Sequence, residues 1–155
     1  MATGKNLIVV AGNIATGKST LCKEIKAYTC IEFMEINNQF KHKGDLILES
    51  TGLGYRTKEF KKAYDRVFMI KCDVGRTQAF ENMKARGKVF KSHELRLGMN
   101  EEDFYMHCEQ DVKKLRVDFT YNYKRRQQEE LFKDIQAFLM ELGGTVYHYD
   151  LKRWN

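Results

Sequence analysis

The 155-residue sequence predicts an α/β fold of three layers, a parallel five-stranded sheet with helices on both faces. Three observations carry that expectation. Apolar, strand-like runs alternate with helix-length segments along the chain. The first run, "LIVVAG", passes straight into a glycine-bearing loop and then a helical pattern. Neither a proline, a repeat nor a low-complexity tract interrupts the alternation, so one domain over residues 1–155 is expected.

Each element follows from its own residues. Residues 6–11 read as a buried strand, followed by the loop and a helix to about residue 28. Residues 31–36 form a second strand and "DLILES", residues 45–50, a third. A short helix over about 57–64 precedes "RVFMIKC", residues 66–72, the fourth strand. Asp73 is placed to cap the next helix, at about 75–86. The polar stretch "GKVFKSHELRLGMN", residues 87–100, breaks the pattern and reads as a mobile loop with one helical turn. Residues 101–115 are helical, with Glu101, Glu102 and Asp103 in the first turn, where acidic groups favour the helix dipole. A short strand at 117–121, a helix at 125–142 stopped by Gly143 and Gly144, and "TVYHY" as a last strand complete the chain.

Composition narrows the class. Hydrophobic residues make up 43% and charged residues 31%, as in ordinary globular proteins. No apolar run approaches the roughly eighteen residues of a membrane span, and the N-terminus lacks a signal-peptide layout, so no membrane partner is expected. Cys22, Cys30, Cys72 and Cys108 are scattered, without zinc-ligand spacing, which argues for a reduced, cytoplasmic protein. The net charge of +6 is uneven. Between Arg56 and Arg96 stand 12 Lys or Arg against 5 Asp or Glu, a placement that suits a polyanion-facing surface.

The loop carries the strongest motif. GxxxxGK[ST] is complete in Gly12, Asn13, Ile14, Ala15, Thr16, Gly17, Lys18 and Ser19, with Thr20 following. In such a P-loop, glycines let backbone N–H groups turn around a β-phosphate at a helix N-terminus. Lys18 is expected to be exposed to the ligand and to reach the β- and γ-phosphates, with the Ser19 hydroxyl on Mg²⁺. The fold class is thereby refined to the P-loop NTPase type, with ATP and Mg²⁺ as cofactors. The base-reading Asn-Lys-x-Asp of a GTP switch is absent, and so is the second signature of an ABC-type ATPase. A kinase needs instead a strand-end carboxylate, a cationic lid and an acceptor pocket.

Candidates for all three exist. Glu49 follows three apolar residues at the end of a strand, and Glu35 ends another. Either carboxylate would take a proton from the acceptor hydroxyl or hold the metal's water shell. A lid over about residues 84–100 contains Lys84, Arg86, Lys88 and Lys91, with Arg76 on the helix before it. Cations there neutralise the charge of phosphoryl transfer and help exclude water, and Arg86 is the best single candidate.

With these residues in view, "GNIATGKST" resembles the phosphate loop of the deoxynucleoside kinases, within the thymidylate-kinase-like P-loop group. The resemblance implies that Glu35 is the general base and that Glu49, in "LES", is the metal-associated glutamate of a Glu-Arg-Ser motif. Ser50 stands where that motif has arginine, so Arg56 or a lid residue would have to supply its role. "TVYHYDLK" is similar in placement to the segment that covers adenine in such kinases.

Short length and basic acceptor-side segments resemble the phage 5-hydroxymethyluracil DNA kinases. That likeness implies a 5-hydroxymethyl-deoxyuridine acceptor within DNA and, if phage-encoded, the host cytoplasm. An extruded base needs an open, positive approach with an aromatic platform. Tyr55 and Arg56 would supply stacking and phosphate contact, as would Phe40 with Lys41 and Lys43. The alternatives are a kinase of a free nucleoside, nucleotide or other small metabolite and, more distantly, a non-catalytic nucleotide-binding module. Oligomeric state is not legible in the sequence.

Overall fold

A computed structural model describes residues 6–35, 44–50, 62–87, 98 and 100–140. Five strands form one sheet: β1 (Asn6–Gly12), β2 (Glu32–Glu35), β3 (Leu46–Ser50), β4 (Arg66–Cys72) and β5 (Phe119–Tyr121). Their order is β2-β3-β1-β4-β5 and every pairing is parallel. Among the described residues, four α-helices accompany them: α1 (Lys18–Thr29), α2 (Arg76–Arg86), α3 (Glu101–Lys113) and α4 (Gln128–Met140).

The central strand is buried throughout, and apolar after Asn6, because it is covered on both faces, as parallel sheets require. Alternation of side chains sorts it cleanly. Ile8 and Val10 pack with Ile47, Ile70 and Cys72 under α1 and α4, which contribute Leu21, Ile25, Leu131, Phe132 and Ile135. Leu7, Val9 and Ala11 pack with Leu46, Leu48 and Met69 against Val112 and Leu115 at the end of α3. A third cluster joins Ile14 of the loop to Ala79 and Met83 of α2 and Phe104 and Tyr105 of α3. The glycine loop is thus braced by two helices that lie far from it in the chain.

Several boundaries differ from expectation, each for a local reason. β5 begins at Phe119 because the Asp118 carboxylate accepts from Met69 N–H at 2.8 Å and takes that group from the ladder. The last described helix begins at Gln128, not 125. Residues Tyr123–Arg125 form a 3₁₀ turn, and Arg126 is left-handed at φ 53°, which interrupts the run. Asp73 does not cap α2: the N-cap is Gly75, whose N–H donates to Asp73 Oδ1 at 3.0 Å in the turn before the helix. α3 is capped by Asn100, whose side chain accepts from Asp103 N–H. The expected helix at 57–64 is described only from residue 62, and "TVYHY" lies outside the described residues.

Candidate active site

β1 lies between β3 and β4, so the chain leaves it on one side and returns on the other. A crevice outside the strand C-termini at such a reversal is where open α/β sheets bind ligands. The glycine loop occupies that place. Gly12 ends β1 at φ 149°, and a Cβ there would sit 2.6 Å from the Cys72 carbonyl oxygen. Only glycine lets the loop leave the strand so close to β4. Gly17, at φ 88°, opens α1.

Within the loop, Asn13 organises four bonds. Its Nδ2 donates to the Tyr105 carbonyl at 2.7 Å, and its Oδ1 accepts from Ile14 N–H at 2.9 Å. Its own carbonyl accepts from Thr16 Oγ1 at 2.8 Å and from Lys18 Nζ at 2.6 Å. Ala15 takes a left-handed φ of 59°, and its carbonyl accepts from Asn82 Nδ2 at 2.9 Å. Asn82 also donates to Tyr123 Oη at 3.1 Å and accepts from Gln78 Nε2 at 2.9 Å. The Tyr123 ring lies against Gly17, 3.3 Å from where a Cβ would stand.

Lys18 departs from expectation. It is only 6% exposed, folded into the loop's own concavity, whereas Ser19 and Thr20 are exposed. Burial holds its ammonium below the usual lysine range, and the Glu49 carboxylate partly restores it. Arg86 acts on the same ammonium in the opposite sense, as a second cation within electrostatic reach. Cys72, beside Gly12, is pushed up to about 12 by burial, so its thiol stays neutral. Glu35 is in register with Glu49 across β2 and β3, so the two candidate positions lie on adjacent strands.

A cleft of about 640 Å³ opens along α1 beside the loop. Gly17, Thr20, Leu21 and Glu24 form one wall; Asn82, Arg86, Tyr121, Tyr123 and Gln128 also line it. Arg86 therefore reaches the cleft, and it is paired with Glu101 at the start of α3. Arg76 is likewise paired, with Glu109. Two cations of the basic stretch are thus answered by acidic groups of α3.

Phe40, Tyr55, Arg56, Lys41, Lys43, Lys88 and Lys91 lie outside the described residues, as does the Glu35 side chain. Sequence reasoning missed Asn82, Tyr105 and Tyr123. Their contacts with the loop span 67, 92 and about 106 residues. No local pattern marks such pairs.

For Mg²⁺ the donors present fit. Mg²⁺ takes one or two protein ligands and completes its shell with phosphates and water. Ser19 is exposed in the first turn of α1, and Glu49 lies near the end of β3 within electrostatic reach of Lys18. No cluster of three or more His, Cys, Asp or Glu able to hold a metal occurs among the described residues. Nor is any described helix long and apolar enough to cross a membrane.

The sequence matches no family model and no curated protein. Solved structures do match the fold. Shikimate kinase from Bacteroides thetaiotaomicron aligns with a TM-score of 0.58 at 14% identity, over 86% of this chain and 97% of that one. Deoxyadenosine kinase from M. mycoides, in a structure with the products dCMP and dCDP, aligns at 0.58 and 16%, over 85% and 99%. The fold is that of the P-loop kinases. A sugar kinase from Janibacter sp. HTCC2649 shares it at 0.58 and 14%, over 87% and 94%.

Proposed function

We propose that this P-loop chain transfers the γ-phosphate of ATP to a hydroxyl on a nucleoside-type acceptor. The observation that carries the reading is the complete phosphate loop with Lys18 folded into it, its ammonium within electrostatic reach of the Glu49 carboxylate and the Arg86 cation. In this reading the loop N–H groups and Lys18 hold the β- and γ-phosphates, and Arg86 neutralises charge that develops during transfer. Ser19 and Glu49 would hold Mg²⁺, which supplies electrostatic stabilisation of the phosphates when bound. Glu35 or Glu49 accepts the proton of the acceptor hydroxyl.

The acceptor we favour is the 5-hydroxymethyl group of 5-hydroxymethyl-deoxyuridine in DNA. Its support is the excess of 12 basic over 5 acidic residues between Arg56 and Arg96. A free nucleoside or other small acceptor is the second reading. It is favoured by the pairing of Arg76 and Arg86 with Glu109 and Glu101 of α3, which offsets two cations of the basic stretch and weakens its net attraction for a DNA backbone. The fold neighbours named for small-molecule acceptors, shikimate and deoxyadenosine, also support it.

Salt separates the two. Contact with several DNA phosphates releases counterions, so activity on DNA falls steeply with ionic strength, while activity on a free nucleoside stays nearly flat. Neutralising Arg56, Lys58 and Lys61 together removes the DNA-directed activity and spares ATP binding. A flat salt response with preference for the free nucleoside selects the second reading.

A further inference from the structure

Phosphate chemistry leaves one charged group in the cleft wall unused. Glu24 lines the cleft from α1, half-buried, and forms no hydrogen bond or ion pair among the described residues. Burial pushes its carboxyl above the usual carboxylate range, so the site favours a partner that restores the charged form. It lies six positions beyond Lys18, about 9 Å along the helix at roughly 1.5 Å per residue. A triphosphate held at Gly17 and Lys18 and extended along α1 brings its nucleoside half to that level. Tyr121, Tyr123 and Gln128 line the same cleft.

We infer that Glu24 reads the nucleoside half of the phosphate donor, accepting two hydrogen bonds from a pair of adjacent donor hydrogens. The inference rests on the triphosphate-binding reading above and adds the group that selects the nucleoside. An ionised carboxylate only accepts hydrogen bonds. Two parts of a nucleoside present the matching pair: the ribose 2′,3′-diol, and the N1–H and N2 amine of guanine. Adenine's edge offers one donor beside a lone pair, which a carboxylate repels, so for the ATP donor proposed above the ribose diol is the matching pair. The sequence lacks the Asn-Lys-x-Asp motif of GTP switches. A carboxylate on α1 is a separate solution to the same recognition.

The test is equilibrium binding of GTP, dGTP, ATP, dATP and inorganic tripolyphosphate to the wild-type chain and to Glu24→Gln. The wild type is expected to discriminate among the four nucleotides. E24Q weakens the preferred ones by about tenfold or more, the scale of a hydrogen bond to a charged group, and leaves tripolyphosphate unchanged. If the base is the source, E24Q moves preference from GTP towards ATP, because an amide pairs one acceptor and one donor as adenine requires. If the sugar is the source, GTP and ATP weaken together while dGTP and dATP change less. Equal wild-type binding of all four nucleotides would overturn the inference, as would equal weakening of tripolyphosphate by E24Q. In either case the triphosphate-binding reading survives. Failure to bind any of the five ligands would overturn both.

Discussion

Lys18 Nζ donates to the Asn13 carbonyl, 2.6 Å away and five residues earlier in the same loop. The lysine thereby satisfies itself in the concavity where phosphate oxygens are to be received. Asn13 is in turn fastened to α3 through the Tyr105 carbonyl. A bound phosphate must therefore compete with a loop carbonyl for one ammonium, and the loop that offers that carbonyl is braced from outside.

Replacing Lys18 by Met tests the lysine without emptying its space. A buried charge held by one carbonyl contributes little to folding, and an apolar side chain of similar length is tolerated. Thermal stability should hold or rise, while phosphoryl transfer falls at least about a thousandfold, the scale of a lost electrostatic contact in transfer. Near-normal turnover in the folded variant would exclude Lys18 from the chemistry.

Proton uptake is the second expectation. Burial holds the free Lys18 ammonium low, with the Glu49 carboxylate raising it and Arg86 lowering it further. Phosphate oxygens favour the charged form and raise it in the complex. Below the free value the lysine is charged in both states and affinity is independent of pH. Above it, binding takes up a proton and affinity falls as the pH rises, until the bound value is passed. Calorimetry in buffers of different ionisation heat measures this directly, and Lys18→Met should abolish the uptake. Glu49→Gln should move its onset to lower pH.

The two strand-end carboxylates separate by substitution. Glu49→Gln is expected to slow transfer by at least about a hundredfold, on the usual scale for general acid–base catalysis. Glu35→Gln, one strand away in register, should affect the pH–rate profile if it is the base. Wild-type rates in both variants would mean that neither activates the acceptor.

Asn82 fixes the peptide of Ala15 from α2, a positioning role. Asn82→Asp cannot donate to that carbonyl and should raise the KM for the triphosphate most, by about tenfold or more. Asn82→Ala should follow, and Tyr123→Phe, which loses only the hydroxyl, should be mildest. A fall in Tm without this ordering in KM would reduce the network to a structural brace.

How much of this was legible in the sequence depends on the range of the contacts. The strand–loop–helix from Asn6 to Thr29 is set by a continuous apolar run, two glycines of positive φ and a helical apolar face, all local, and sequence reading recovers it. The parallel sheet follows from alternation of elements. The depth at which Lys18 is buried is not legible in the motif, because it comes from the bond to Asn13 and the surrounding fold. Asp73 was misread as a cap because one turn separates the strand from the helix, and Gly75 takes the capping position. The contributions of Asn82, Tyr105 and Tyr123 depend on tertiary packing of α2, α3 and the turn after β5 onto the loop. They carry no motif.

The central claim is phosphoryl transfer to a nucleoside-type hydroxyl, and one assay addresses it. Label placed in the γ-phosphate of ATP is followed into free nucleosides, nucleotides and DNA containing 5-hydroxymethyluracil. The account predicts acceptor-dependent incorporation into at least one of these, lost in Lys18→Met. Label released only as inorganic phosphate, at a rate indifferent to every acceptor, would contradict it.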